Sequence, residues 1–141
     1  MITSSLRIFT DSTIERGDVS EQDVDILRRD LFADGITSRD EADVLIALDR
    51  AIAVKHASWA NFLVGQVVAF TVWTSRPTGK IDAETARWLT TSLSCGQGPT
   101  PTAIRIAFEV VREAEQADET LVAFVLRGVR GCAKQGVGLA A

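Results

Sequence analysis

Three carboxylates spaced around one glycine are the residues in this sequence whose types and intervals come closest to ion chemistry. With Gly35 placed sixth in a calcium loop, Asp30 falls at position one, Asp34 at five, Ser38 at nine and Glu41 at twelve, all oxygen donors. Phe32 at position three has no oxygen to give, and Thr37 stands where an isoleucine is usual. Two other glycines open similar junctions and fail the same test. Gly17 in that role puts Ser12, Ile14 and Arg16 at positions one, three and five; Gly79 puts Thr74, Arg76 and Thr78 there. Isoleucine and arginine cannot donate an oxygen to a hard cation. The simpler reading makes Asp34-Gly35 a helix stop and places Glu41 in the first turn of the next helix. A divalent-metal-responsive sensor using Asp30, Asp34 and Glu41 is the alternative reading.

The other reactive side chains stand apart. His56 is the sole histidine, with no nucleophile or carboxylate partner set by spacing; it reads as structural, near the end of a helix. No phosphate-cradling glycine loop, nucleophile elbow or zinc spacing occurs. Cys95 and Cys132 have no metal or redox spacing and read as free thiols of a reducing compartment. An enzyme is not expected, and no cofactor is implied. Trp59, Phe62 and Trp73 are candidates for an aromatic interaction face, although core or half-buried packing is the stronger reading of such residues. Arg127, Arg130 and Lys134 make a small cationic patch, read as a solvated face.

The elements that must position these residues follow from apolar spacing and caps. Ser20-x-x-Asp23 is a capping-box pattern, followed by Val24, Leu27 and Leu31 on one helical face. Thr37-x-x-Asp40 opens a second helix with Val44, Leu45, Leu48 and Ile52 inward, ending near Lys55-His56. Ser58 to Thr74 is a helix apolar almost all round, which must be covered by its own domain or by a partner. Arg76-Pro77-Thr78-Gly79 breaks the chain into halves. Asp82 caps a fourth helix carrying Ala86, Leu89 and Leu93. Thr100-Pro101 opens a fifth with Ile104, Ala107, Phe108 and Val111, and a sixth begins near Thr120. Val19 and Ile81 are placed to pair as a short bridge between the halves.

These halves say the same thing twice. Ser20 and Asp82 are 62 positions apart and Thr37 and Thr100 are 63 apart, and Leu27 and Leu31 map onto Leu89 and Leu93. The fold expected is all-α: two pseudo-repeated three-helix units, TerB-like or degenerate EF-hand-like. Residues 1–16 read as an extended or weakly ordered lead-in, 17–131 as one helical domain with repeats 17–74 and 79–131, and 132–141 as a flexible tail. The 141 residues are 46% hydrophobic and 24% charged, an ordinary globular balance. A net charge of −4 argues against nonspecific nucleic-acid binding. The acid is concentrated: residues 11–50 hold twelve carboxylates against five arginines. No membrane span is expected, because the uncharged stretch 57–73 is short and interrupted by Ser58, Asn61, Gln66 and Thr71. The first residues lack a basic start followed by an apolar run, so a secretory leader is not expected either.

The junction Phe32-Ala33-Asp34-Gly35-Ile36-Thr37-Ser38-Arg39-Asp40-Glu41-Ala42 resembles the ADG-x-x-x-x-E helix junction of tellurite-resistance TerB-like domains. The chain is also similar over most of its length to small proteobacterial helical proteins with a central Trp-containing helix. Where the TerB-like pattern often repeats its acidic junction, this chain has Cys95-Gly96-Gln97-Gly98-Pro99, without Asp or Glu. The resemblance implies an all-α, internally duplicated, cytoplasmic protein with a stress-linked or scaffold role. The function expected is therefore a non-catalytic helical binding or scaffold protein. Its partner would be an unidentified protein or a second copy.

Overall fold

The computed structural model describes residues 4–74, 78–95 and 98–134, with backbone alone for 129–134. The protein is mostly helical among these residues, and the chain forms two compact units, Met1–Phe70 and Thr71–Ala141. The expected break at Arg76-Pro77, the middle of the Cys95–Pro99 turn and the tail beyond Lys134 lie outside the described residues.

The first unit runs α1 (Ser4–Arg16), β1 (Asp18–Val19), α2 (Glu21–Ile26), α3 (Arg39–Ala51), β2 (Val54–Lys55) and α4 (Ala57–Val68). Helix α2 continues as a π turn over Leu27–Leu31, and α4 as one over Ala69–Thr74. Residues 4–16 are thus a helix, not the extended or weakly ordered lead-in expected. Their β-branched and hydroxyl-bearing residues are weak helix formers. Burial of Leu6 and Thr13 and packing of α1 against α3 and β1 decide the conformation. The Thr10 and Thr13 hydroxyls donate back to the carbonyls of Leu6 and Phe9, as threonines within helices commonly do.

The Ser20 cap forms as read. Its hydroxyl accepts from the Asp23 amide at 3.2 Å, and the Asp23 carboxylate accepts from the Ser20 amide at 2.9 Å. The second cap moves by one residue: Ser38, not Thr37, accepts from the Glu41 amide, while Glu41 Oε1 takes the amide and hydroxyl of Thr37 at 2.8 and 2.9 Å. His56 does not end a helix. It caps α4, its Nδ1 accepting from the Ser58 amide at 3.1 Å. Between α3 and α4 the chain forms β2, which pairs parallel with β1, so Val19 faces Lys55 within one unit and forms no bridge to Ile81. Parallel strands need a long crossover, and here α2 and α3 supply it.

Helix α4 packs on α2 and α3, and its all-round apolar sequence is matched by burial of Trp59, Phe62, Leu63, Val64 and Val67. The Phe62 ring lies 6.3 Å from Trp59 and 6.4 Å from Phe32, both tilted. A buried polar knot ties this core to the strands. Asp49, 3% exposed, accepts from Trp59 Nε1 at 2.9 Å and from Lys55 Nζ at 3.1 Å, and Lys55 also donates to the Asp49 carbonyl at 2.6 Å.

The second unit runs β3 (Lys80–Ile81), α5 (Ala83–Ser94), α6 (Pro101–Glu113), β4 (Gln116–Ala117) and α7 (Glu119–Lys134), with β3 parallel to β4. Asp82 and Thr100 cap α5 and α6 as expected, with Pro101 at the first helical position. Helices α5, α6 and α7 pack on one another. Phe108 faces outward, not inward. The buried residues of α6 are Ala103, Ile104, Ile106, Ala107 and Val110: Ile104 and Ala107 lie inward as expected, while Ala107 and Val110 take the places that the 63-residue offset gave to Phe108 and Val111.

Two stability outcomes follow. Asp49→Ala should cost about 3 kcal/mol, because it leaves the buried Trp59 N–H without its acceptor and removes the carboxylate paired with Lys55, which keeps only the main-chain carbonyl of residue 49. Phe62→Ala should cost about 3–5 kcal/mol as a large-to-small change at a packed aromatic. Urea denaturation followed by Trp59 fluorescence measures the first, and denaturation followed by circular dichroism the second.

Candidate functional site

The sequence-predicted site residues fall in different settings. Glu41 is 8% exposed and its Oε1 is spent on Thr37. Asp34 is exposed in the turn before Gly35, whose φ is +81°, and Asp30 is exposed on the π turn after α2. Among the described residues no three His, Cys, Asp or Glu side chains gather as a metal ion would require. Trp59 and Phe62 are core residues, 1% and 5% exposed. Trp73 is 47% exposed and is the one member of that trio with free surface to offer. Cys95 is an exposed free thiol, donating to the Thr91 carbonyl.

The feature that sequence reading missed is a cleft of about 440 Å³ between α1 and the helix formed by α2 and its π turn. One wall is a single stripe of α1: Ser5, Ile8, Phe9, Ser12, Thr13 and Arg16. Positions three or four apart share a helix face, so the stripe spans the whole helix. Asp23, Ile26, Asp30 and Leu31 form the facing wall at the same spacing. Ile8 is 69% and Ile26 43% exposed, so apolar surface is open to solvent on both walls.

Where the chain turns through Gly17 the cleft is closed by ion pairs. The Arg16 guanidinium donates to Asp23, and its Nε lies 3.3 Å from Asp18. Asp23 Oδ2 also accepts from the amide and hydroxyl of Ser20, so this one oxygen gathers all three donors. The far end carries Asp30, which makes no ion pair among the described residues. The chemistry on offer is burial of apolar groups beside an available carboxylate. No nucleophile–base pair lines the cleft. Its signal in the sequence was Ser5, Phe9, Ser12 and Arg16 at helical intervals, in a segment whose β-branched and hydroxyl-bearing residues are weak helix formers.

Neither a protein-family model, a curated protein nor a solved structure matches this chain. Among the described residues no helix is long and apolar enough to cross a membrane.

Calcium should not bind tightly at the Asp30–Glu41 junction, where Phe32 occupies a ligand position and Glu41 is already used as a cap. Calorimetric titration should give no saturable micromolar binding. Such binding, abolished by Asp34→Ala, would bring the metal-sensor reading forward.

Proposed function

We propose that this protein is a non-catalytic helical binding or scaffold module that holds a partner protein in the cleft between α1 and α2. The observation that carries this is the open apolar trough with Ile8 and Ile26 on its two walls. Isolated exposed isoleucines need no explanation, but apolar side chains facing one another across a cleft mark an interaction surface. The likeness of the Phe32–Ala42 junction to TerB-like domains supports a cytoplasmic, stress-linked setting.

The two units are, in this reading, copies of one βααβα element. Each of the five elements recurs at one interval: β1 to β3 is 80 − 18 = 62 positions, and α2 to α5, α3 to α6, β2 to β4 and α4 to α7 give the same difference. The caps agree, Ser20 with Asp82 and Ser38 with Thr100. So do the positive-φ glycines, Gly17 at +79° and Gly79 at +76°. The His56 amide donates to the Val19 carbonyl at 2.8 Å, and the Asp118 amide donates to Ile81 at the same distance. The 63-residue spacing at Thr37 arises because Ser38 is the cap.

A photo-crosslinking residue at position 8, introduced into the whole chain in its host, tests the binding reading. A discrete heteromeric adduct that disappears when the crosslinker is moved to exposed surface outside the cleft, such as Ala53, is the expected outcome. Adducts of equal yield from both positions, or none from position 8, would remove the cleft as the binding surface.

A further inference from the structure

We infer that the cleft takes a cationic amphipathic helix of a partner protein; this deepens the binding reading above and rests on it. The trough is the right shape for a helix. The α1 stripe from Ser5 to Arg16 is 12 residues long, so the wall extends about 17 Å at 1.5 Å per residue, room for about three helical turns. Its opposite wall is also helical, and an apolar channel between two helices is the arrangement that receives a third helix through anchors at i, i+3 or i+4, and i+7. Ser5 and Ser12 flank Ile8 and Phe9 and keep the channel from being filled by its own wall.

The charge around the trough selects the partner. Residues 4–31 carry seven carboxylates and four arginines. Three of the arginines are occupied: Arg16 by Asp18 and Asp23, and Arg28 and Arg29 by Asp25. Among the described residues Asp11, Glu15 and Asp30 make no ion pair, and Arg7 is the only cation of the segment in the same position; of these carboxylates Asp30 lines the cleft itself. A docked helix with Lys or Arg beside its apolar stripe therefore meets Asp30 within a segment of net negative charge, whereas an acidic helix meets uncompensated like charge. The same field disfavours an anionic lipid surface or a nucleic acid as occupant.

Titration of the ¹⁵N-labelled full chain separates the possibilities. The probes are a synthetic Leu/Lys amphipathic helix of about 14 residues, some four turns, and its Leu/Glu counterpart. The Leu/Lys peptide should shift amides of α1 and residues 26–31 saturably, and the Leu/Glu peptide should not. Ile8→Ser should weaken the Leu/Lys complex about tenfold as an apolar anchor, and Asp30→Asn a few-fold as an exposed charge. Ile8 is largely exposed, so the variant's unbound spectrum should confirm an unchanged fold. Equal shifts by both peptides in the cleft would overturn the cationic assignment and leave the binding reading standing. Silence of the cleft toward both would remove both. Shifts confined to another surface, or Leu/Lys affinity unchanged in both variants, would overturn the proposal. So would concentration-dependent shifts of α1 without peptide, since the occupant would then be a second copy.

Discussion

The first unit depends on one buried carboxylate. Asp49 sits at the end of α3, and its oxygen Oδ1 is shared by the Lys55 ammonium on β2 and the Trp59 indole N–H on α4. An ionised group at 3% exposure has lost its water and must be compensated by protein donors. That requirement fixes three elements at once. It holds the start of α4 against the end of α3, and it pins the two-residue strand β2 beside β1. Two residues of parallel pairing would be a weak closure alone. Trp59 is simultaneously the largest core side chain, so the polar tie and the apolar core share one residue. The stacking of Trp59, Phe62 and Phe32 then follows from where the knot places α4.

The second unit reaches a comparable closure by other means. The positions 62 residues after Asp49, Lys55 and Trp59 are Val111, Ala117 and Leu121. Leu121 is fully buried, and the strand pair β3–β4 is present without any of the three polar groups. Replacement of a buried ion pair by packed apolar groups is often neutral or stabilising, because the desolvation cost disappears with the charge. The pair in the first unit is thus better viewed as a positional constraint than as a source of stability. It favours a donor-bearing residue of β2 beside Asp49, and Lys55 supplies one. An apolar trio tolerates small slips that a charged trio does not.

What was legible in the sequence were features written in local chemistry. Ser20, Asp82 and Thr100-Pro101 each carry a cap that involves only neighbouring backbone, and each forms as read. The 58–74 segment reads as buried because a helix apolar almost all round has to be covered. Failures came where two local choices were nearly equal. Thr37 and Ser38 are both good caps, and the choice was made by Glu41, whose carboxylate reaches Thr37 only when Ser38 is the cap. That single step moved the apparent face of α6 and put Phe108 inside on paper and outside in the structure. The strands β2 and β4 were illegible because two residues carry no periodicity. The cleft was illegible because α1 is held by tertiary packing against α3, which no local propensity reports.

Helix α1 carries more than delivering the chain into β1 requires. The positions 62 residues beyond it fall on the end of α4 and its π turn, residues 69–74 included. The Gly79 amide donates to the Val72 carbonyl in that turn, as the Gly17 amide donates to Thr13 in α1. Each parallel pair is therefore preceded by a helix that hands the chain over through a positive-φ glycine. For that task α1 needs only its inward residues, Leu6 and Thr13, and its terminal carbonyls. Nothing in the handover requires isoleucine at positions 8 and 14, which stand 69% and 52% exposed. Burying a side chain of that size is worth about 1.5–3 kcal/mol, so leaving two of them in water forgoes stability that the folded chain could have used. Ile14 does not line the cleft, whereas Ile8 and Ile26 stand on its two walls, so the apolar surface left in water is gathered there rather than scattered.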